Sequence, residues 1–381
     1  MKMHWLVCLA PAFPLLSLAL AQPPSGDNFE ELAQKAGALL DSRPADAATL
    51  YKQALALRSD WAEGWMSLGG ALYQLDRYAE CTDALRKGIA LSPKMGTAWA
   101  FLGLCEAELD DPEQALADIR KGEALGLGGN RQFEVAVRVR AAQLLISSSS
   151  FDEAPMELLP LARVGENSAI VQRTMGLAAL GISSKLADLP PEKRAVIEMT
   201  GKAAWALAGQ HPTEAAEAYK QLVERYPNEP GVHYAVGLYY TETDMNAALG
   251  EFQKEVKANP KHWPSLIVIG SLNVRLGEGA AALEALRQAI KYAPAKYRWL
   301  CHLEMGRAQL ISDQVDAAIA EFQTAARLSP QNPQAHFFLA QAYRRVGKKE
   351  EAKAETQEFE KLKVQQDPAG VPGLRLSVPA R

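Results

Sequence analysis

From Gly231 to Pro260 the chain reads GVHYAVGLYYTETDMNAALGEFQKEVKANP, with apolar positions three and four residues apart on either side of a polar break, TETD. That period belongs to an amphipathic helix, so the stretch predicts a helix, a short turn and a second helix, each burying one stripe. A second stretch, HLEMGRAQLISDQVDAAIAEFQTAARLSP from His302 to Pro330, has the same arrangement. In both, a small residue begins a count: Gly237, Ala248 and Pro260 in the first, Gly306, Ala318 and Pro330 in the second.

The count runs along most of the chain. Taking the first small residue as an anchor gives Gly69, Gly103, Ala142, Gly176, Ala203, Gly237, Gly270, Gly306 and Ala340, with Ala36 as a weaker first member. The steps are 34, 39, 34, 27, 34, 33, 36 and 34 residues. A second small residue, Cys81, Ala115, Ala154, Ala215, Ala282, Ala318 or Ala352, lies twelve after its anchor, and Ala248 lies eleven after Gly237. Pro93, Pro227, Pro260, Pro294 and Pro330 follow twelve later. Internal periods of this length mark stacked supersecondary units.

Each unit reads as two antiparallel helices joined by breaks such as LDR, LDDPEQ, LGEG and VGKK. Glycine within a helix costs about 0.5–1 kcal/mol relative to alanine, so its recurrence needs a compensating gain. The expectation is that a small residue on each helix lets the two backbones approach at their crossing. The proline stops the second helix, because it lacks an N–H and disfavours helical geometry in the residue before it.

With Trp65, Leu68, Gly69, Leu72, Cys81, Leu85 and Pro93, and again with Trp99, Leu102, Gly103, Ala115 and Ile119, the chain resembles the tetratricopeptide-repeat family. Gly237, Tyr240, Ala248, Phe252 and Pro260, and Gly306, Ala318, Phe322, Ala325 and Pro330, continue the resemblance. It covers residues 28 to 364, strongly in 47–126 and 203–364 and weakly in 130–200. It implies an all-α fold, an α-solenoid superhelix of about nine to ten antiparallel hairpins, with first helices lining a concave groove and second helices outside.

The weak middle carries two irregularities. The 39-residue step is taken up by the glycine-rich GLGLGGN, whose extension runs from Gly126 to Asn130. The 27-residue step leaves GISSKLADLPP, which is too short and proline-bound for a helix, so a hairpin without its second helix is expected near 183–192. A final helix from Glu350 to Gln366, with Phe359 and Leu362 on one side, suits a cap. The expected domain plan is therefore a signal peptide in 1–21, a solenoid in 22–366 (regular in 28–126 and 195–366, degenerate in 127–194), and a disordered tail in 367–381.

The signal assignment rests on Lys2, the apolar run WLVCLAPAFPLLSLAL and the small-x-small pattern Ala19-Leu20-Ala21. The run is short for a transmembrane helix and holds Pro11 and Pro14, so export to a periplasmic or extracellular space is favoured over an uncleaved anchor. Removal of the signal leaves Cys81, Cys105 and Cys301, read either as buried small residues or as one Cys81–Cys105 bridge plus a free thiol. The formal charge of −4 offers no bulk attraction to nucleic acid or to an anionic membrane.

Catalytic signatures are missing: the sequence has no Gly-x-Ser-x-Gly elbow, His-Glu-x-x-His helix or calcium loop, and GLAALGIS lacks a phosphate-loop lysine. His233, His302 and His336 stand four residues before an anchor, where Trp65 and Trp99 stand in earlier repeats. Helices packed about 8–10 Å apart separate such residues too far for a shared ion, so they read as substitutes for a core aromatic. No cofactor is expected.

Residues one and four after an anchor, and three before it, share the face that the resemblance assigns to the groove. They include Ser271; Leu303, Arg307 and Leu310; and Phe337, Gln341 and Arg344, flanked by Arg275 and Arg345. Arginines among apolar seats suit an extended peptide bearing an acidic group or a terminal carboxylate. The N-terminal part, with Tyr73 and Phe101, is nearly uncharged. The family's chaperone-tail clamp needs an asparagine one residue after an anchor, and none of the nine positions holds one. The expected function is an exported, non-catalytic scaffold for protein segments. The alternatives are a structural subunit of an envelope assembly, which would show apolar outer helices, and an enzyme with its site in 126–200, a stretch without histidine or cysteine.

Overall fold

The computed structural model describes residues 26–184 and 186–366. The expected signal in 1–21 and tail in 367–381 lie outside the described residues. Those residues form nineteen α-helices and two 3-10 turns, with no strand among them, in two compact units divided at residues 222 and 223.

In the first unit, α1 (Gly26–Leu39) and α2 (Pro44–Leu57), α3 (Ala62–Gln74) and α4 (Tyr78–Leu91), and α5 (Gly96–Glu108) and α6 (Pro112–Leu125) form hairpins. So do α7 (Arg131–Ser147) and α8 (Ala154–Arg163), and α9 (Ala169–Ala179) and α10 (Pro191–Ala208). α11 (Pro212–Arg225) spans the division. The second unit holds α12 (Val232–Tyr240) with α13 (Met245–Ala258), α14 (Trp263–Leu276) with α15 (Gly279–Tyr292), α16 (Arg298–Ile311) with α17 (Val315–Leu328), and α18 (Pro333–Arg345) with α19 (Lys349–Gln366). Pro93, Pro227, Pro260, Pro294 and Pro330 each stand two residues past a helix end, as their stop role requires.

Every anchor is buried, but the small residues do not all meet each other. A Cβ added at Gly237 would stand 2.7 Å from the Phe252 ring, one at Gly306 2.5 Å from Phe322, and one at Gly270 2.5 Å from Leu286. The anchor is therefore a socket for the large side chain one turn beyond the second small residue. Only where the second helix offers its own backbone does the expected approach of main chains occur. A Cβ at Gly103 would meet Ala115 O at 2.5 Å, and one at Gly176 would meet Ile197 O at 2.2 Å.

The hairpins close through one repeated turn. A left-handed residue, Asp76, Asp110, Ser149, Gln210, Gly277, Asp313 or Gly347, follows the first helix. The next N–H donates to the carbonyl five residues back, as Arg77 to Leu72 (2.9 Å), His211 to Ala206 (2.9 Å) and Lys348 to Tyr343 (2.9 Å). This bond satisfies a carbonyl that the helix end would leave orphaned.

The middle is more regular than the sequence suggests. Gly126, Gly128 and Gly129 take positive φ and Asn130 caps α7, accepting from Phe133 N at 3.0 Å, so the 39-residue step is absorbed in a loop. The hairpin of Gly176 does not lack its second helix, contrary to expectation. GISSKLADLPP forms only the connection, and α10, eighteen residues long, packs its Ile197 and Gly201 on α9 before turning at Gln210 into α11. The second helix of the Gly176 hairpin thus also carries the next anchor, Ala203, which explains the short step.

Cys81 on α4 and Cys105 on α5 are both fully buried and joined in a disulfide, Cα–Cα 6.4 Å, linking neighbouring hairpins. Of the two readings that the sequence allowed, the structure takes the bridge. Cys301 is a buried free thiol whose pKa burial pushes up to about 12.

The socket makes a quantitative demand. Gly237→Leu should lower unfolding free energy by about 1–3 kcal/mol in urea denaturation, because the Phe252 ring has no room to retreat.

Candidate functional site

The face assigned to ligand in the second unit is built on α14, α16 and α18. Leu303, expected as an apolar seat, is 1% exposed and sits in the core with Ala318, Phe322 and Leu339. On α16 the position three before the anchor points into the core, so this expectation is corrected.

Arg307 is also occupied. Its Nη1 donates to both carboxylate oxygens of Glu304, at 2.7 and 2.9 Å, and its guanidinium lies 5.3 Å from the centroid of Phe338. Glu304 is buried, which raises its pKa, while Arg307 and a hydrogen bond with Ser271 oppose the rise. Arg307 and Ser271 therefore solvate a buried carboxylate and are not available as expected. Arg345 Nη1 donates to Leu310 O at 3.1 Å, placing a cation at the C-terminal end of α16, where the helix dipole favours it.

The remaining expected residues keep at least part of their surface exposed. Arg275 is exposed at the end of α14, and Leu310 and Gln341 are half-buried. Phe337 is 37% exposed, its ring 5.5 Å from Phe359 on α19. Arg344 is exposed and donates to Thr356 Oγ1 at 2.7 Å, a neutral partner that leaves its charge uncompensated. Ile311, exposed next to Leu310 at the end of α16, was not among the expected residues, although it ends the apolar run of its own helix.

Tyr73 and Phe101, expected as groove residues of the first unit, belong to a row of rings instead. Tyr78, Tyr73, Phe101 and Phe133 follow one another at centroid distances of 5.5, 5.5 and 5.8 Å. Phe101 is 5% exposed, and burial, followed by the charge of Glu108, pushes the Tyr73 hydroxyl up to about 12. These rings are core that ties α3, α5 and α7 together.

In five repeats the position four before the anchor takes one of two solutions. Trp65 and Trp99 donate their indole N–H to Ser59 O and Pro93 O, both at 2.9 Å, under Lys87 and Lys121. In the second unit His233, His302 and His336 stand there, each with Nδ1 2.6 Å from its own glutamate, Glu251, Glu321 or Glu355. His233 Nε2 lies 2.9 Å from Pro227 O, the counterpart of the indole bond. The histidines thus take the aromatic's place in the packing.

Charge is buried in the first unit too. Glu106 on α5 faces Asp118 on α6 and reaches Arg86 Nη2 at 3.1 Å. Burial, then the Asp118 charge, raises Glu106 to about 7, and burial with Glu157 nearby raises Glu123 to about 7. Arg138, 2.9 Å from Glu123, and Arg120, on Glu153 and Glu157, tie α6 to α7 and α8. Among the described residues no three His, Cys, Asp or Glu side chains are placed to hold a metal, and no helix is long and apolar enough to cross a membrane.

Two outcomes follow. Arg307→Ala should cost about 3 kcal/mol or more in chemical denaturation, since it strands the Glu304 carboxylate, whereas exposed Arg275→Ala should stay within about 0.5 kcal/mol of wild type. Glu106 binds its proton more tightly folded than unfolded. Its favourable contribution is thus complete below pH 4.5 and is lost as pH rises through about 7. Glu106→Gln should raise the melting temperature relative to wild type at pH 8 by more than at pH 5, as calorimetry would show.

Comparison with known proteins agrees with this architecture. A family model described as TPR repeat matches residues 306–347, and one described as tetratricopeptide repeat matches 38–80. The human Protein O-mannosyl-transferase TMTC3 is 29% identical over 76 residues, which is 20% of this chain and 8% of that protein's length. Among solved structures, MamA residues 41 to the end from Desulfovibrio magneticus RS-1 is 22% identical, covering 45% of this chain and 97% of its own, with a TM-score of 0.42. Another MamA crystal structure is 18% identical over 48% of this chain and 99% of its own, TM-score 0.41. By its matched repeats, and by the helical hairpins that recur among the described residues, the chain is a tetratricopeptide-repeat protein.

Proposed function

We propose that the chain is an exported, non-catalytic scaffold that holds an extended protein segment against the first helices of its second unit. The carrying observation is the row of Arg275, Leu310 with Ile311, and Phe337 with Gln341 on three successive first helices, where partly exposed apolar side chains alternate with a cation and an amide. A segment lying there would set apolar side chains on Ile311 and Phe337 and place an acidic group or terminal carboxylate at Arg275. Two buried carboxylates of the second unit are taken up by neighbours: Glu304 by Arg307, and Glu255 by the N–H of Gly231 at 3.1 Å. Export is supported by the leader-like pattern of 1–21 and by a buried disulfide, a bond that persists in oxidising compartments.

Affinity purification of the mature chain from the cell envelope tests this reading. The isolated chain should begin at Gln22, and the double substitution Phe337→Ala with Arg275→Ala should remove a specific protein partner without loss of helicity. Unchanged partners, or a chain beginning at Met1 in the cytoplasm, would contradict it.

A further inference from the structure

Each hairpin of the second unit offers a seat to the first helix that follows. On α16 and α17 the seat is apolar: Phe322 stacks on Phe338 of α18 at 5.5 Å, and Val315, Ile319 and Leu310 pack beside Leu339 and Tyr343. Gln323 adds one polar contact, donating to the Tyr343 hydroxyl at 3.0 Å.

The repeat count maps that seat onto the last hairpin 34 residues later. Val315, Ile319, Phe322 and Leu310 become Lys349, Lys353, Thr356 and Arg344, while Gln323 becomes Gln357. Together with Ala352, these residues line a shallow cleft along α18 and α19. The positions recur and their chemistry is changed. Neither Lys349, Lys353 nor Arg344 forms an ion pair with a carboxylate among the described residues, and Arg344 spends one N–H on the Thr356 hydroxyl. Three uncompensated cations spaced about a helical turn apart would repel a further apolar hairpin and attract an anion of matching length.

We propose that this end face of α18 and α19 docks an acidic helix of a partner protein, seated where a further first helix would lie. Carboxylates three and four residues apart on the incoming helix would meet Lys349, Lys353 and Arg344, and a small residue between them would rest on Ala352. The site is separate from the row at Arg275, Ile311 and Phe337, so either can fail without the other.

The test uses the full mature chain and a fluorescent, alanine-based helical peptide with glutamates at positions i and i+4, read by anisotropy at low and physiological salt. Saturable binding should weaken at least tenfold in the Lys349→Glu, Lys353→Glu double variant. It should change less than twofold in an Arg287→Glu, Lys291→Glu control on the exposed face of α15, with circular dichroism confirming that both fold. A proline-broken peptide of the same composition should bind at least tenfold more weakly. Equal loss in both variants, equal binding of the broken peptide, or no saturable binding would overturn the proposal. So would self-association of the chain that Lys349→Glu and Lys353→Glu abolish, since the seat would then belong to a second copy.

Discussion

The fold depends on a steric constraint: at its anchor a first helix presents a methyl group or no side chain at all, and where the anchor is glycine a bulky side chain or the backbone of the second helix enters the gap. Phe252 at Gly237, Leu286 at Gly270 and Phe322 at Gly306 are successive instances in the second unit, and Leu85 at Gly69 is one in the first. The hydrophobic gain of burying a phenylalanine or leucine, about 1.5–3 kcal/mol, exceeds the helix propensity lost at glycine, which is why so poor a helix former is kept there. The spacing between socket and side chain fixes the turn, and the turn fixes which face of each hairpin meets the next.

Much of this was legible in the sequence because it is local and periodic. The prolines fell where they stop helices, the glycine-rich extension ending at Asn130 became the loop before α7, and Leu362 is buried on the terminal helix. The sequence did not reveal what fills each socket, since the spacing of two small residues is equally compatible with backbone contact or with an inserted ring. Nor did it show that the second helix of one unit would carry the anchor of the next. A 27-residue step reads as a missing helix until the length of α10, with Gly201 facing α9 and Ala203 buried on the same helix, shows both on one element.

The candidate site was less legible, and for a different reason. A repeat pattern identifies the face of a helix, but burial on that face depends on how closely neighbouring first helices stack. Leu303 and Phe101 lie deep because α14, α16 and α18, and likewise α3, α5 and α7, approach closely enough to cover them. Arg307 was a misleading cation: Glu304, three residues before it, lies under the same surface and claims the guanidinium, a pairing the sequence contained without the burial that makes it binding. Charges placed by the fold to neutralise other charges cannot also recognise a ligand, which moves the proposed contact toward Arg275, Ile311 and Phe337.

A double-mutant cycle at Gly306 and Phe322 tests the socket most directly. Gly306→Ala should destabilise the wild type, because its new methyl would stand 2.5 Å from the Phe322 ring, and much less so a Phe322→Leu background, giving a coupling of about 1–2 kcal/mol. A coupling indistinguishable from zero would contradict the account.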